Sequence, residues 1–357
     1  MRKCALMASL AVLAVPTHGQ GSVSMYGIVD TGVSYYDRVT AAGGTSLGMP
    51  VLPGVPSRFG LRGSEDLGGN LKAFFVLENG FATNDGSLSD GGRLFGRLAN
   101  LGVVSPYGKL TLGRQATMTM LALGKVDVLG PSIHSMGNFD TYLPNAHSDN
   151  TIGYLGTFRG VTVGATYSFG RDAAGPDGPS ATNCPGEVPG DFVACRQYSA
   201  MLAYDAESFR VVGSYDVMRG GAGASAPLTS PAYVDTRTLL GSYAQIGATT
   251  IGVGWVRRNT AAATHVQSDI VFVGSAWSAT PALTIDTQVS RYVQRREAAA
   301  TLLVARANYL LSIRTKVYLS VGYMFNGQLA AYPVASGGSV MTGANQFGTM
   351  LGLQQRF

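Results

Sequence analysis

The feature that most constrains this chain is a period-two alternation of apolar and polar side chains in segments of about ten residues. In 315–325, Val317, Leu319, Val321, Tyr323 and Phe325 share one face, while Lys316, Ser320 and Asn326 share the other. In 283–293, Leu283, Ile285 and Val289 oppose Asp286, Gln288 and Ser290. At the C-terminus, Phe347, Leu351, Leu353 and Phe357 oppose Gln346, Gln354 and Arg356. Such alternation predicts strands with one apolar and one polar face. No segment past the N-terminal region reaches the ~18 consecutive apolar residues that a membrane helix needs.

Extended along the chain, this reading predicts about sixteen strands. They fall near 22–36, 57–63, 71–81, 93–105, 109–115, 148–157, 161–169, 197–204, 209–218, 235–246, 249–258, 265–278, 283–295, 298–312, 315–325 and 345–357. Short turns are expected at 64–70, 106–108, 158–160, 205–208, 247–248, 279–282 and 313–314. Most intervening connectors are long: 37–56, 82–92, 116–147, 170–196, 219–234 and 326–344. The connectors at 259–264 and 296–297 are short and break the pattern. An even number of antiparallel strands with short turns at one end and long loops at the other describes an outer-membrane barrel. In lipid every backbone N–H and C=O must be paired internally, so the sheet must close. Both termini then lie on the periplasmic side. A secreted β-sandwich or adhesin would also alternate, but a sandwich hides its apolar face and shows charge outside.

Composition agrees with an all-β chain. Charged residues make up 13%, about half the usual ~25%, and the 48 glycines are well above the typical ~7%. Disorder and collagen are excluded, since one needs high charge and the other Gly at every third position. Arg2 and Lys3, the apolar run 4–15, then Pro16 and Gly19 read as a secretory leader over 1–19, with the barrel occupying 20–357. Without that leader, 24 basic residues face 21 acidic ones, a net charge of +3. That is too weak and too dispersed for a nucleic-acid partner.

An exported chain meets an oxidising compartment, so Cys184 and Cys195 are expected to bond to each other. Closing so short a loop stabilises by roughly 2.5–3 kcal/mol in the chain-entropy model. The alternative is two free thiols in an irregular loop. No metal site is expected, because His134, His147 and His265 have no ligand-like partner at short spacing. No cofactor is expected either. Gly220 to Ala224 lacks the lysine of a phosphate-binding loop and reads as linker, and no Gly-x-Ser-x-Gly elbow is present.

Four stretches carry a family resemblance. SVSMYGIVDTGVSYY at 22–36 resembles the first strand of Gram-negative general diffusion porins, especially the beta-proteobacterial branch. SRFGLRGSEDLGGNLKAFFVLENGF at 57–81 resembles their second and third strands, and RLFGRLANLGVVSPYGKLTLGRQ at 93–115 their fourth and fifth. The terminal LGLQQRF ends on Phe357, similar to the family's outer-membrane assembly signal. The resemblance implies a sixteen-stranded, homotrimeric, water-filled pore for small hydrophilic solutes. Its implied surroundings are outer-membrane lipid, lipopolysaccharide and the assembly machinery. It also implies that the third loop, 116–147, folds into the barrel and narrows it. Asp127 and Asp140 in that loop are the expected acids of the constriction.

Parity supplies the facing cations. Arg58, Gly60 and Arg62 share one face, and Phe59 and Leu61 the other. An arginine at the lipid midplane costs about 2–4 kcal/mol, so the arginine face must look inward. Arg93 and Arg97 are expected inside the fourth strand, whereas the same count leaves Asn100 on the lipid side. Arg291 is expected on the lipid face, near the outer interface. Several inward arginines in a narrow channel would favour anions weakly, tempered by Asp30 and Glu78. A sugar- or phosphate-specific channel, a barrel enzyme and an adhesin are the competing functions. A sugar channel would need an aromatic ladder that the inward positions do not assemble. A barrel enzyme would need a histidine-centred triad that nothing near His265 specifies.

Overall fold

The structure, a computed structural model, describes residues 21–40, 43–171, 183–295 and 297–357. The leader expected over 1–19 lies outside them. Among the described residues sixteen long strands form one sheet. They are β1 (Ser22–Tyr36), β2 (Ser57–Gly68), β3 (Leu71–Phe81), β4 (Leu98–Ser105), β5 (Gly108–Ala116), β6 (Thr151–Phe158), β7 (Val161–Ser168) and β8 (Gln197–Asp205). The second half holds β9 (Phe209–Arg219), β10 (Val234–Ile246), β11 (Thr249–Ala261), β12 (His265–Ser278), β13 (Leu283–Gln294), β14 (Ala298–Leu310), β15 (Thr315–Asn326) and β16 (Gln346–Arg356).

Each strand pairs antiparallel with its sequence neighbours, and β1 pairs with β16 from Ile28↔Arg356 to Tyr36↔Gly348. The sheet is therefore closed, and no strand edge is left open to lipid. Phe357 completes the seam. Its N–H donates to Gly27 O at 3.1 Å, and Gly27 N–H donates back to Phe357 O at 3.1 Å.

The alternation read from sequence becomes inside and outside. Val253, Val271, Val289, Leu351 and Leu353 are exposed on the outer face, while Asp286, Gln288, Ser290, Gln346 and Gln354 are buried inside. Arg291 lies on the outer face three residues from the end of β13, and its guanidinium donates to Thr301 Oγ1 at 2.7 Å. One expected turn is shorter than anticipated. β2 runs on to Gly68, with Glu65 and Asp66 paired to Ala73 and Lys72, so the reversal is confined to Gly69 and Asn70. Both have positive φ, 60° and 64°, which glycine and asparagine tolerate best.

The connector 117–150 enters the barrel. Helix α1 (Met118–Val126) opens it, capped by Thr117, whose hydroxyl accepts from Met120 N. Two single 3₁₀ turns and the short piece His147–Ser148 follow. Ala122, Val126, Ile133, Met136 and Leu143 of this connector are buried against inward side chains of the far wall, among them Leu239, Val256, Leu302 and Met324. This is the main apolar core, and it lies inside the barrel. Backbone bonds tie the loop down at its middle: Ile133 N donates to Pro53 O at 2.9 Å, and Ser336 N donates to Ile133 O at 2.9 Å.

Cys184 and Cys195 are bonded, with Cα atoms 5.7 Å apart. The bridge holds the 183–196 loop to the next one, where Cys195 N donates to Gly220 O at 2.9 Å and Ser225 N to Asn183 O at 3.0 Å. The glycine-rich stretch read as linker is thus a packed wall. A Cβ on Gly221 would sit 2.7 Å from Cys195 Sγ.

Candidate channel constriction

The loop side of the interior is neutralised. Asp140 receives two hydrogen bonds from the fully buried Arg237, Nε–Oδ2 at 2.7 Å and Nη2–Oδ1 at 3.1 Å. Asp235 lies 3.4 Å from Arg237 and 2.6 Å from Arg258, so Asp140 of the loop joins a network with three charges on β10 and β11. The Arg237 guanidinium also stacks 4.3 Å from the Tyr142 ring centroid, and Tyr142 OH donates to Asp216 at 2.5 Å. Burial alone would push the Asp140 carboxyl up, but Arg237 and Arg258 beside it hold it below the usual carboxylate range. Asp127, one residue past α1, is also buried, and there burial pushes its carboxyl up. Further along, Arg306 bonds Asp286 at 2.8 Å and donates to the loop carbonyl of Leu129 at 3.2 Å.

Sequence reasoning expected Asp127 and Asp140 to face the arginines across the channel. In the structure both are buried, and Asp140 is pinned to the wall by a cation on β10. Arg237 itself went unread. The available signal was two like charges in register on neighbouring strands, Arg237↔Arg258, with Asp235 two residues away.

The opposite wall carries two clusters in which arginines meet on a carboxylate. Glu78 on β3 is approached by Arg97 at 2.7 Å and Arg58 at 3.9 Å. Tyr26 OH on β1 also donates to Glu78, at 2.8 Å. Tyr26, Gly60 and Glu78 lie in register across three strands. A Cβ on Gly60 would come within 2.7 Å of the Tyr26 ring, so glycine there lets the phenol cross β2 to reach the carboxylate. Asp149 likewise takes Arg114 at 2.7 Å and Arg93 at 3.0 Å. In both clusters two guanidinium groups converge on one carboxylate. Lys109 stands 4.2 Å over the Phe74 ring.

Four of the six expected constriction residues are cations, and they divide by depth. Arg58, Arg93 and Arg97 belong to the two clusters. Arg62 lies nearer the periplasmic turn, where it donates to Ser24 Oγ at 3.2 Å and stacks on Tyr26. Arg93 and Arg97 are not in the fourth strand, which begins only at Leu98. The segment before it is irregular, yet Arg97 N still donates to Glu78 O at 3.2 Å. That irregularity shifts the parity by one. Asn100 is therefore buried on the inner face, with Nδ2 donating to Arg114 O at 3.0 Å, and Leu101 faces out. Arg114 was missed for a different reason. Regular alternation from Thr111 gives it outward parity, and the register runs unbroken through Gly113, yet its guanidinium still reaches Gly96 O and Asp149.

His134 is buried in the loop, with Nδ1 2.9 Å from Ser320 Oγ. Burial and the nearby Arg306 push its imidazole down to about 3, so it is neutral at ordinary pH.

A closed barrel with an apolar exterior, crossed inside by a loop, has the architecture of an outer-membrane barrel protein. Residues 5–329 match the Gram-negative porin family, and the chain belongs to that family and to the outer membrane it occupies. It is 34% identical over 235 residues to an outer membrane porin protein of Bordetella pertussis, covering 60% of this chain and 59% of that protein. It is 35% identical over 175 residues to outer membrane porin protein 32 of Delftia acidovorans, covering 45% of this chain and 48% of that one. The chain thus spans about half to three-fifths of the length of these relatives. The solved anion-selective porin from Comamonas acidovorans superposes with a TM-score of 0.79 at 22% identity, covering 95% of this chain and 100% of that one. That likeness is one of fold.

Proposed function

We propose that the chain is a passive diffusion channel for small hydrophilic solutes and ions, weakly selective for anions. The observation that carries this reading is the asymmetry of the interior. The loop's acids are buried, and Asp140 is ion-paired, while two-arginine clusters built on Glu78 and Asp149 line the facing wall. Membership of the porin family supports transport over catalysis, and so over a barrel enzyme. A homotrimer in contact with lipid and lipopolysaccharide, delivered by a leader cleaved near residue 19, is the assembled form we infer from the family. We assign Phe357 to recognition by the assembly machinery as well as to the seam. Deleting it should leave the protein exported but unassembled, and a heat-modifiable barrel in the outer membrane after deletion would refute the role.

Reconstitution in planar bilayers with salt-gradient reversal potentials tests the main reading. Stepwise ohmic conductance with a modest chloride preference is expected. Failure to conduct would remove the channel function altogether.

A further inference from the structure

Inward apolar side chains of the barrel mostly have a cover. On β10 and β15, Leu239 and Met324 are completely buried by the inserted loop. On β3 and β4 the inward positions Phe74, Val76 and Leu98 are only half-buried. Val76 and Leu98 line one recess with Lys109, with Leu121 of α1, which is 39% exposed, and with the polar Asn100, Thr111 and Gln115; Phe74 borders it through Lys109. The recess holds about 200 Å³. Its cation is placed by a glycine. A Cβ on Gly102 would lie 2.6 Å from the Phe74 ring, so glycine lets that ring lie across β4 toward β5, where the Lys109 ammonium stands over its face.

The geometry points to a subsite for amphipathic monocarboxylates: a small anion with an apolar ring or short chain. We infer that its carboxylate pairs with Lys109 while its apolar body lies on Val76, Leu98 and Leu121. Compact inorganic anions gain from the charge alone. Among the described residues, the exposed part of this strip has no apolar cover, and an amphipathic anion complements both the strip and the cation beside it. The recess adjoins the arginine clusters, since Leu98 is in register with Glu78. An anion gathered by Arg58 and Arg97 therefore meets the strip next. The inference rests on the channel reading and adds a solute class to it.

The test compares acetate with benzoate under bi-ionic conditions in planar bilayers, using the full-length protein. The wild-type benzoate-to-acetate permeability ratio should exceed the ratio of their mobilities in free solution. Benzoate should also reduce chloride current saturably, which acetate should not. Val76→Thr with Leu121→Ser should lower the permeability ratio by about threefold to tenfold, as expected for losing a few tens of Å² of apolar contact. Neither change empties a buried core position, and heat-modifiable migration checks the fold. Lys109→Gln should reduce both carboxylates alike and leave their ratio in place. A wild-type ratio at or below the mobility ratio, with no saturable block, overturns the subsite while a chloride-preferring pore leaves the channel reading standing. A pore that prefers potassium overturns both.

Discussion

Two walls of the same barrel put inward charge to different uses. On β10, β11, β13 and β14, the cations Arg237, Arg258 and Arg306 are matched to Asp140, Asp235 and Asp286, and Arg237 and Arg306 are buried beneath the inserted loop. From β2 to β5 and the segment before β4, Arg58 and Arg97 converge on Glu78, and Arg93 and Arg114 on Asp149, with Arg58 and Arg93 the more exposed of the four. The first wall spends no field on solute, because a buried, hydrogen-bonded pair cancels at a distance. The second keeps a positive potential that a low-dielectric wall focuses into the lumen. Inward parity is thus necessary for a channel-lining charge but not sufficient; what covers the residue decides its role.

The comparison breaks most sharply at Arg237. Arg237→Met leaves the Asp140 carboxylate buried without its partner, and such losses cost about 3–5 kcal/mol. The loop should detach, giving noisier single channels with higher conductance, while the barrel itself persists. Adding Asp140→Asn should restore most of the quiet behaviour, since a neutral pair leaves no orphaned charge. Noise that is unchanged in Arg237→Met would mean that apolar packing alone holds the loop.

A second test concerns the outer loops. Cys184→Ser with Cys195→Ser should destabilise the 183–233 region by about 3 kcal/mol in the chain-entropy model. Protease cleavage should increase there, with conductance and loop noise unaltered. If noise rises as it does in Arg237→Met, the vestibule and the inserted loop are one unit and the two-wall distinction is too simple.

A third test is acid sensitivity of the loop-covered wall. His134 is held down to about 3 by burial, with Arg306 adding to it, and Tyr36 meets its ring edge-on at 6.4 Å. With its folded value depressed, the undocked loop binds more protons between roughly pH 6.5 and 3. Docking is therefore fully present above that window and weakens as pH falls through it, by up to about 1.4 kcal/mol per unit. Channel noise should grow between pH 6 and 4 in the wild type and less so in His134→Gln. Equal acid response in both would assign it to the carboxylates instead.

Much of the barrel was legible in the sequence. Strands such as 283–294 and 315–326 show strict alternation because lipid outside and water or loop inside impose opposite demands on successive residues. Legibility failed where the pleat is interrupted, before Leu98, which displaced Asn100, and where a long side chain reaches past its own parity, as Arg114 does to Asp149. It also failed where an inward residue meets the loop instead of water, because the pairing of Asp140 with Arg237 spans 97 residues and leaves no local pattern. Arg58 could be read from parity alone. That Asp140 would be neutralised could not.

The central claim, that the uncovered arginine wall sets selectivity, is tested most directly by reversal potentials at two salt concentrations. At 1 M the Debye length is about 3 Å, and at 0.01 M it is about 30 Å, so only the dilute condition lets the wall act across the lumen. The wild-type chloride preference should grow as salt is lowered, and Arg58→Ala with Arg97→Ala should shrink it while raising conductance at 1 M. A wild-type pore that prefers potassium at 0.01 M would contradict the account.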